Sequence, residues 1–243
     1  MIYCLVKISQ LLHEPTLLSD AHILARLITP KLIAADQSLD LIGGAAGAIV
    51  GLLSLFSVTH DPEVLAIAIA CGQHLLQQRV SINGSPKAWK TTADCPLTGY
   101  SHGAAGIAYA LLKLYEASKD MAYLDAAVEA IAYEQSVFSA AVGNWPDFRS
   151  FAFVNGKPGF MSSWCHGAPG IALARLGGLP ILDTPEIRRD LEVALHTTAN
   201  NQFFGVDHLC CGTFGRIEVL LLAAELGLPS GESNWQDIAF RQA

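Results

Sequence analysis

The chain has 243 residues, of which 51% are hydrophobic and only 15% are charged, against about 25% charged in a typical soluble domain. This composition excludes intrinsic disorder, which requires low hydrophobicity and high charge. The net charge of −7 argues against a protein that binds nucleic acid through its phosphates, so no nucleic-acid partner is expected. The length allows one large domain or two small ones, and no long polar linker divides it, so we expect one domain over residues 1–243.

The N-terminal segment lacks the features of a secretory signal peptide. Residues 1–7 (MIYCLVK) contain a short apolar run without a preceding basic region or a following cleavage site. We therefore expect a cytoplasmic protein, in which grouped cysteines more often bind metal or react than form disulfides. Three of the six cysteines are scattered and are expected to be ordinary buried thiols: Cys4, Cys71 and Cys95.

One segment is long enough to span a bilayer. No formal charge occurs between Asp40 and Asp61, and much of this segment is apolar. Its glycine pattern recurs downstream next to polar residues. We therefore predict a helix buried inside a large α-helical protein, and we expect no stable membrane insertion.

A glycine motif recurs four times and organises the chain. Each copy has two glycines three residues apart, followed by an apolar run with helical character. The copies occupy residues 40–49, 99–108, 163–172 and, more loosely, 209–218. These intervals leave room for two helices per repeat.

The segments between the motifs predict outer helices. Residues 62–78 and 121–138 have apolar residues at helical spacing, and Thr184 followed by Pro185 is typical of a helix start. Breaker-rich loops, such as residues 155–159, separate the units, and no alternation typical of long strands is found. The sequence thus predicts an all-α fold, in which glycine-rich inner helices alternate with amphipathic outer helices.

Polar residues lie just before the glycine turns, and they would meet in one cavity if the inner helices converge. Cys165, Cys210 and Cys211 would supply three thiolates to a metal ion and leave a fourth position open. Thiolates favour zinc over magnesium or calcium. His166 and His208 are alternative ligands.

Such a centre suits the activation of a substrate thiol. A free thiol has a pKa of about 8.5 and is mostly protonated at neutral pH, whereas metal binding deprotonates it. Addition of a thiolate to an activated alkene creates an enolate, which His102 could protonate. A structural histidine is the alternative for His102, and Asp40 either orients that histidine or caps a helix start.

Three of the motifs resemble the lanthionine synthetase C-like cyclase family, most closely the C-terminal cyclase domain of class II bifunctional lanthipeptide synthetases. They are residues 101–107 (SHGAAGI), 163–175 (SWCHGAPGIALAR) and 209–216 (LCCGTFGR). The resemblance implies an α/α toroid with a zinc ion at its mouth. It also implies that peptide cysteine thiols add to dehydroalanine or dehydrobutyrine and close thioether rings.

The resemblance assigns roles to individual residues. His102 matches the acid/base histidine, and Asp40 matches the aspartate of the first glycine motif. Cys165, Cys210 and Cys211 match the zinc ligands; many members have histidine at the last position, so this chain resembles a three-cysteine subgroup.

The resemblance also implies partners. The substrate would be a dehydrated precursor peptide with a leader and a core rich in Cys, Ser and Thr, supplied by a dehydratase domain or subunit. No dehydratase region is visible, and four glycine motifs predict an incomplete toroid. Two other functions remain open: a zinc-binding peptide-recognition module without turnover, and a toroidal hydrolase or lyase acting on sugars, which would depend on paired carboxylates.

Overall fold

The computed structural model describes residues 1–200, 206–230 and 234–242, and helices dominate this part of the chain. The helices are α1 (Ile2–Leu12), α2 (Thr16–Arg26), α3 (Pro30–Ala35), α4 (Ala45–Thr59), α5 (Pro62–Gln77), α6 (Ala104–Ser118), α7 (Met121–Val137), α8 (Ala168–Gly178), α9 (Pro185–Asn200), α10 (Thr213–Glu225) and α11 (Trp235–Gln242). A 3₁₀ turn at Ser150–Ala152 precedes an antiparallel hairpin of two short strands, β1 (Phe153–Val154) and β2 (Lys157–Pro158).

The helices form two layers. The inner layer runs α1, α4, α6, α8, α10, and each of these helices contacts the next. The outer helices α2, α5, α7, α9 and α11 each pack against the inner helix that precedes them in the chain. The predicted all-α fold of alternating inner and outer helices is therefore confirmed.

The predicted outer helices are found with nearly the expected bounds. Helices α5 and α7 each end one residue earlier than predicted. Helix α9 begins at Pro185, and the Thr184 hydroxyl accepts a hydrogen bond from the Ile187 N–H at 3.3 Å, as an N-cap does. The first hairpin, α1 and α2, was not predicted because no glycine motif precedes it.

The long uncharged segment forms α4, which is buried between neighbouring helices. Ala46, Ile49 and Leu52 of this helix are fully buried. Within the part of the chain that the structure describes, no helix combines the length and the apolar character that crossing a membrane requires. The interpretation as a buried inner helix is therefore the correct one.

The second glycine of the last two motifs allows the inner helices to approach closely. A Cβ at Gly170 would lie 2.9 Å from the Cβ of Tyr100, and one at Gly215 would lie 2.7 Å from the Cβ of Trp164. Both distances are too short for carbon atoms in van der Waals contact. A residue from one repeat thus packs directly on the glycine of the next.

The scattered cysteines do not share one environment. Cys71 is buried, as predicted, and Cys95 is half-buried. The expectation for Cys4 was wrong, since its side chain is exposed. Helix α1 buries Val6 and Ser9, and Cys4 lies about 200° around the helix from Val6, on the outward side.

Candidate functional site

The inner helices of the first three motifs are capped by side chains that are remote in sequence. Each begins after a glycine, which has no side chain to accept the free N–H groups of the first turn. The acceptors are Asp36 for the Ala45 N–H (2.8 Å), Glu134 for the Ala105 N–H (3.1 Å) and Asn144 for the Ala168 N–H (2.9 Å). These three side chains fix the helix starts that carry the candidate residues.

Backbone hydrogen bonds connect each glycine turn to the next. The Leu41 N–H donates to the Ser101 carbonyl at 3.1 Å. In the same way, the Tyr100 N–H donates to the Cys165 carbonyl at 3.1 Å, and the Cys165 N–H to the Cys210 carbonyl at 3.3 Å. The polar residues of the four motifs are therefore held in neighbouring positions at one end of the inner layer.

Glu134 anchors the turn that carries His102. Its side chain is fully buried, and besides capping α6 it accepts the Gly99 N–H at 3.0 Å. Arg175 donates to the other carboxylate oxygen at 2.9 Å, and its Nε donates to Asp190 at 3.2 Å. Burial raises the pKa of Glu134, which the charge of Arg175 opposes.

His102 and Asp40, predicted as the catalytic residues, form a hydrogen-bonded pair. His102 Nδ1 lies 2.6 Å from Asp40 Oδ2. The other oxygen, Oδ1, accepts the N–H groups of Ile42 (3.0 Å) and Gly43 (2.8 Å). One oxygen of Asp40 therefore orients the histidine, while the other accepts from the turn that precedes α4. The interpretation of Asp40 as a helix cap was wrong, because Asp36 accepts the N–H at the start of α4.

The pairing determines how His102 presents its ring. Asp40 is only 2% exposed, whereas the His102 side chain is 29% exposed. A carboxylate can only accept a hydrogen bond, so Nδ1 carries a hydrogen. Nε2 is then the ring atom free to exchange a proton with a bound molecule.

Cys165, Cys210 and Cys211 form a compact group of thiols. The sulfur of Cys211 lies 3.3 Å from that of Cys165 and 3.5 Å from that of Cys210, and all three lie within 4.8 Å of one another. A tetrahedral zinc ion with Zn–S bonds near 2.3 Å requires sulfurs about 3.8 Å apart. The donor set and its spacing therefore fit zinc.

The alternative histidine ligands lie outside this group. Among the described residues, the cluster that could hold a metal contains the three cysteines and neither His166 nor His208. His208 Nδ1 instead accepts the Cys211 N–H at 3.2 Å. It therefore supports the backbone of a candidate ligand.

The surroundings of the three thiols favour their protonated form when no metal is bound. Burial raises the pKa of Cys165, Cys210 and Cys211, and the positive charge of Arg149 only partly opposes this at Cys210 and Cys211. At neutral pH the thiols would remain protonated without a bound metal, which deprotonates its thiol ligands. The N-termini of α8 and α10 beside them also favour negative charge.

His166 connects the two halves of the site. It follows Cys165 in the chain, and its ring centroid lies 5.9 Å from that of His102. Burial, reinforced by the nearby charge of Arg149, lowers the pKa of His166 to about 4, so the ring is neutral at physiological pH. Its Nδ1 lies 3.4 Å from the Thr98 carbonyl.

A cavity of about 870 Å³ opens in front of His102. Two segments line it, residues 91–95 and residues 148–151, together with Phe153. The loop predicted at residues 155–159 contains the turn of the hairpin and strand β2, and Asn-Gly is a strong sequence signal for such a turn. Asn155 and Gly156 indeed have φ values of 51° and 75°, the left-handed values that such a turn requires.

Comparisons with known proteins agree with this fold. The lacticin 481/lactococcin biosynthesis protein LcnDR2 of Lactococcus lactis subsp. lactis is 26% identical over 154 residues, which are 63% of this chain and 14% of that protein. Nisin cyclase superposes with a TM-score of 0.67 at 21% identity, over 87% of this chain and 59% of that one. The chain thus spans only part of the relatives that it matches.

Two carbohydrate-active proteins share the fold. A GH76 α-mannanase of Bacteroides thetaiotaomicron has a TM-score of 0.58 at 15% identity, covering 82% of this chain and 55% of that one. A polysaccharide lyase has a TM-score of 0.57 at 16% identity, covering 80% and 56%. These likenesses establish the α/α toroid architecture, whereas the sequence profile of "Lanthionine synthetase C-like protein" matches residues 1–230. The chain therefore belongs to the lanthionine synthetase C-like family.

Proposed function

We propose that this chain is a zinc-dependent peptide cyclase. It adds cysteine thiols of a dehydrated precursor peptide to dehydroalanine or dehydrobutyrine and so forms lanthionine or methyllanthionine. The observation that carries the proposal is the three-thiol cluster beside the His102–Asp40 pair, with His166 between them. A thiol-binding centre next to a proton donor is what this addition requires.

The three cysteines and His102 have different roles in the proposed reaction. Cys165, Cys210 and Cys211 would hold a zinc ion, which would keep a substrate thiol deprotonated. As the new C–S bond forms at the β-carbon of the dehydro residue, the electron pair of its double bond moves toward the α-carbon and the adjoining carbonyl. His102 Nε2 takes up the proton that the substrate thiol releases and delivers it to the α-carbon, while Asp40 holds the hydrogen on Nδ1 throughout.

The substrate follows from this chemistry. The precursor peptide must already carry dehydrated serine or threonine, so a dehydratase domain or subunit acts first. A cytoplasmic location suits the reaction, because the free thiols of ligands and substrate stay reduced there.

Two single substitutions test the proposal. Cys211→Ala should lose the metal, because it removes one of three ligands. His102→Asn should retain the metal and slow ring closure about 10²–10⁴-fold, the usual contribution of general acid catalysis. Metal content is measured by elemental analysis, and ring closure on a pre-dehydrated peptide by alkylating the remaining thiols before mass spectrometry.

A second histidine–aspartate pair provides a matched control. His22 Nδ1 lies 3.4 Å from Asp61 Oδ2, between α2 and the start of α5. His22→Asn should leave both metal content and ring closure unchanged. Normal ring closure by His102→Asn would contradict its assigned role.

The other two functions make different predictions. A peptide-recognition module would bind the dehydrated peptide and zinc without closing rings, so turnover separates it from a cyclase. A sugar hydrolase would need two carboxylates facing the cavity. Among the described residues that line it, Asp94 is the one carboxylate, and Asp40 is buried behind His102.

A further inference from the structure

The cavity in front of His102 is lined by two segments of unlike character. Residues 91–95 supply small and polar side chains. The other segment supplies Phe148, Phe151 and Phe153, which we name the aromatic wall. The volume of about 870 Å³ lies in the upper part of the range for ligand pockets, so several residues of an extended peptide fit.

The backbone of the hairpin holds the aromatic wall in place. The Asp147 N–H donates to the Gly159 carbonyl at 2.8 Å, and the Gly159 N–H donates to the Ala152 carbonyl at 2.9 Å. Strands β1 and β2 pair beyond these bonds, and the Asn155 turn closes the hairpin. The wall is therefore built before any ligand arrives.

The positive charge of Arg149 next to the aromatic wall is balanced by the carboxylate of Asp147. Arg149 donates from Nε and Nη2 to both carboxylate oxygens of Asp147 at 2.6–3.2 Å, and its guanidinium lies 4.6 Å from the ring centre of Phe151. The wall therefore offers a ligand apolar contact rather than net charge.

Two of the three rings of the aromatic wall are exposed to solvent. Phe151 is 76% exposed, and Phe153 is exposed as well. Water contact with such rings is unfavourable, so an apolar occupant would be bound by their burial. Because the wall shares its cavity with His102, the occupant is the molecule that reacts there.

We propose that the aromatic wall selects precursor peptides that carry an apolar residue next to the ring-forming dehydro residue. This inference rests on the proposed cyclase function and adds a substrate preference to it. The dehydro residue reaches His102 at the inner end of the cavity, and its neighbour contacts Phe151 and Phe153. A polar neighbour would leave the rings without that contact.

Two dehydrated peptides that differ only in this neighbour, leucine or serine, test the preference. The wild-type chain should cyclise the leucine peptide with a kcat/KM about tenfold higher, the low end for an apolar contact at a pocket. Phe151→Ser should bring this ratio close to one, mainly by raising KM for the leucine peptide. Phe240→Ser on α11, where the ring is 64% exposed outside the cavity, is the matched control and should keep the ratio.

Fluorescence anisotropy of the same two peptides, each labelled, measures the binding preference independently of ring closure. Tighter binding of the leucine peptide without any ring closure would refute the cyclase function and support the assignment of the aromatic wall. A ratio unchanged in Phe151→Ser would overturn the assignment of the aromatic wall and leave the cyclase standing. Self-association of the wild-type chain that Phe151→Ser abolishes would assign the surface to a second copy and likewise overturn the proposal.

Discussion

Replacement of Glu134 by leucine should lower the free energy of unfolding by about 3–5 kcal/mol, the usual cost of removing one partner of a buried ion pair. The carboxylate accepts hydrogen bonds from the Gly99 and Ala105 N–H groups and from Arg175. Leucine would leave two buried N–H donors without an acceptor, at about 1–3 kcal/mol each. Arg175 would keep its hydrogen bond to Asp190, and this limits the loss of stability that comes from its missing partner.

For a chain of this size, each kcal/mol shifts Tm by about 2–4 °C, so Glu134→Leu should melt about 6–20 °C lower than the wild type. Glu134→Gln should lie between the two, because its amide oxygen still accepts both N–H groups. Thermal unfolding followed by circular dichroism measures these shifts. Amide hydrogen exchange at Gly99 and Ala105 should accelerate in Glu134→Leu.

An exposed ion pair supplies the control. Glu116 lies 3.1 Å from Lys113 one turn earlier on α6 and is half exposed. Exposed pairs of this kind contribute about 0.3–0.5 kcal/mol, so Glu116→Leu should change Tm by about 2 °C at most. A Glu134→Leu variant that melts as close to the wild type as Glu116→Leu would refute the role of the buried carboxylate.

Three further outcomes are expected. Asp40→Asn should keep the fold, since its side-chain oxygen can still accept from the turn; a large loss of Tm would contradict this. It should slow ring closure, because the amide nitrogen then faces His102 and cannot accept the Nδ1 hydrogen. Gly170→Ala should destabilise the protein by about 1–3 kcal/mol through overpacking, whereas Gly51→Ala, with ordinary space around its Cβ, should be neutral or stabilising by about 1 kcal/mol in urea unfolding. Burial raises the pKa of Cys71 to about 12, so this thiol should stay protonated and resist iodoacetamide at pH 8 until the chain unfolds; rapid labelling in the folded protein, seen by peptide mass spectrometry, would refute its burial.

Local sequence signals predicted the parts of this protein that repeat or follow helical periodicity. The spacing of apolar residues located α5 and α7 within one residue, and Thr184 with Pro185 located the start of α9. The glycine motifs predicted four inner helix starts, and the polar residues before them predicted where His102 and the three thiols gather. Such signals are readable because capping, periodicity and glycine turns act over a few residues.

The sequence was less informative about which side of a helix is buried. Helix α1 has no glycine motif before it and was not predicted. Cys4 was expected to be buried, but Val6 and Ser9 form the buried face of that helix. Which face turns inward depends on the neighbouring helix, which a short segment does not encode.

The sequence by itself determined the helical architecture, the candidate ligands and the candidate acid, because these follow from local patterns and their repetition. Only the tertiary structure decided which side chains hold the inner helix starts and the candidate site residues in place. Three inner helices are capped by side chains that lie far along the chain from the N–H groups that donate to them. The separations are 9 residues for Asp36, 29 for Glu134 and 24 for Asn144. One oxygen of Asp40 likewise pairs with His102, 62 residues away. Hydrogen bonds over such separations exist only after the helices have packed, so no local pattern in the chain records them.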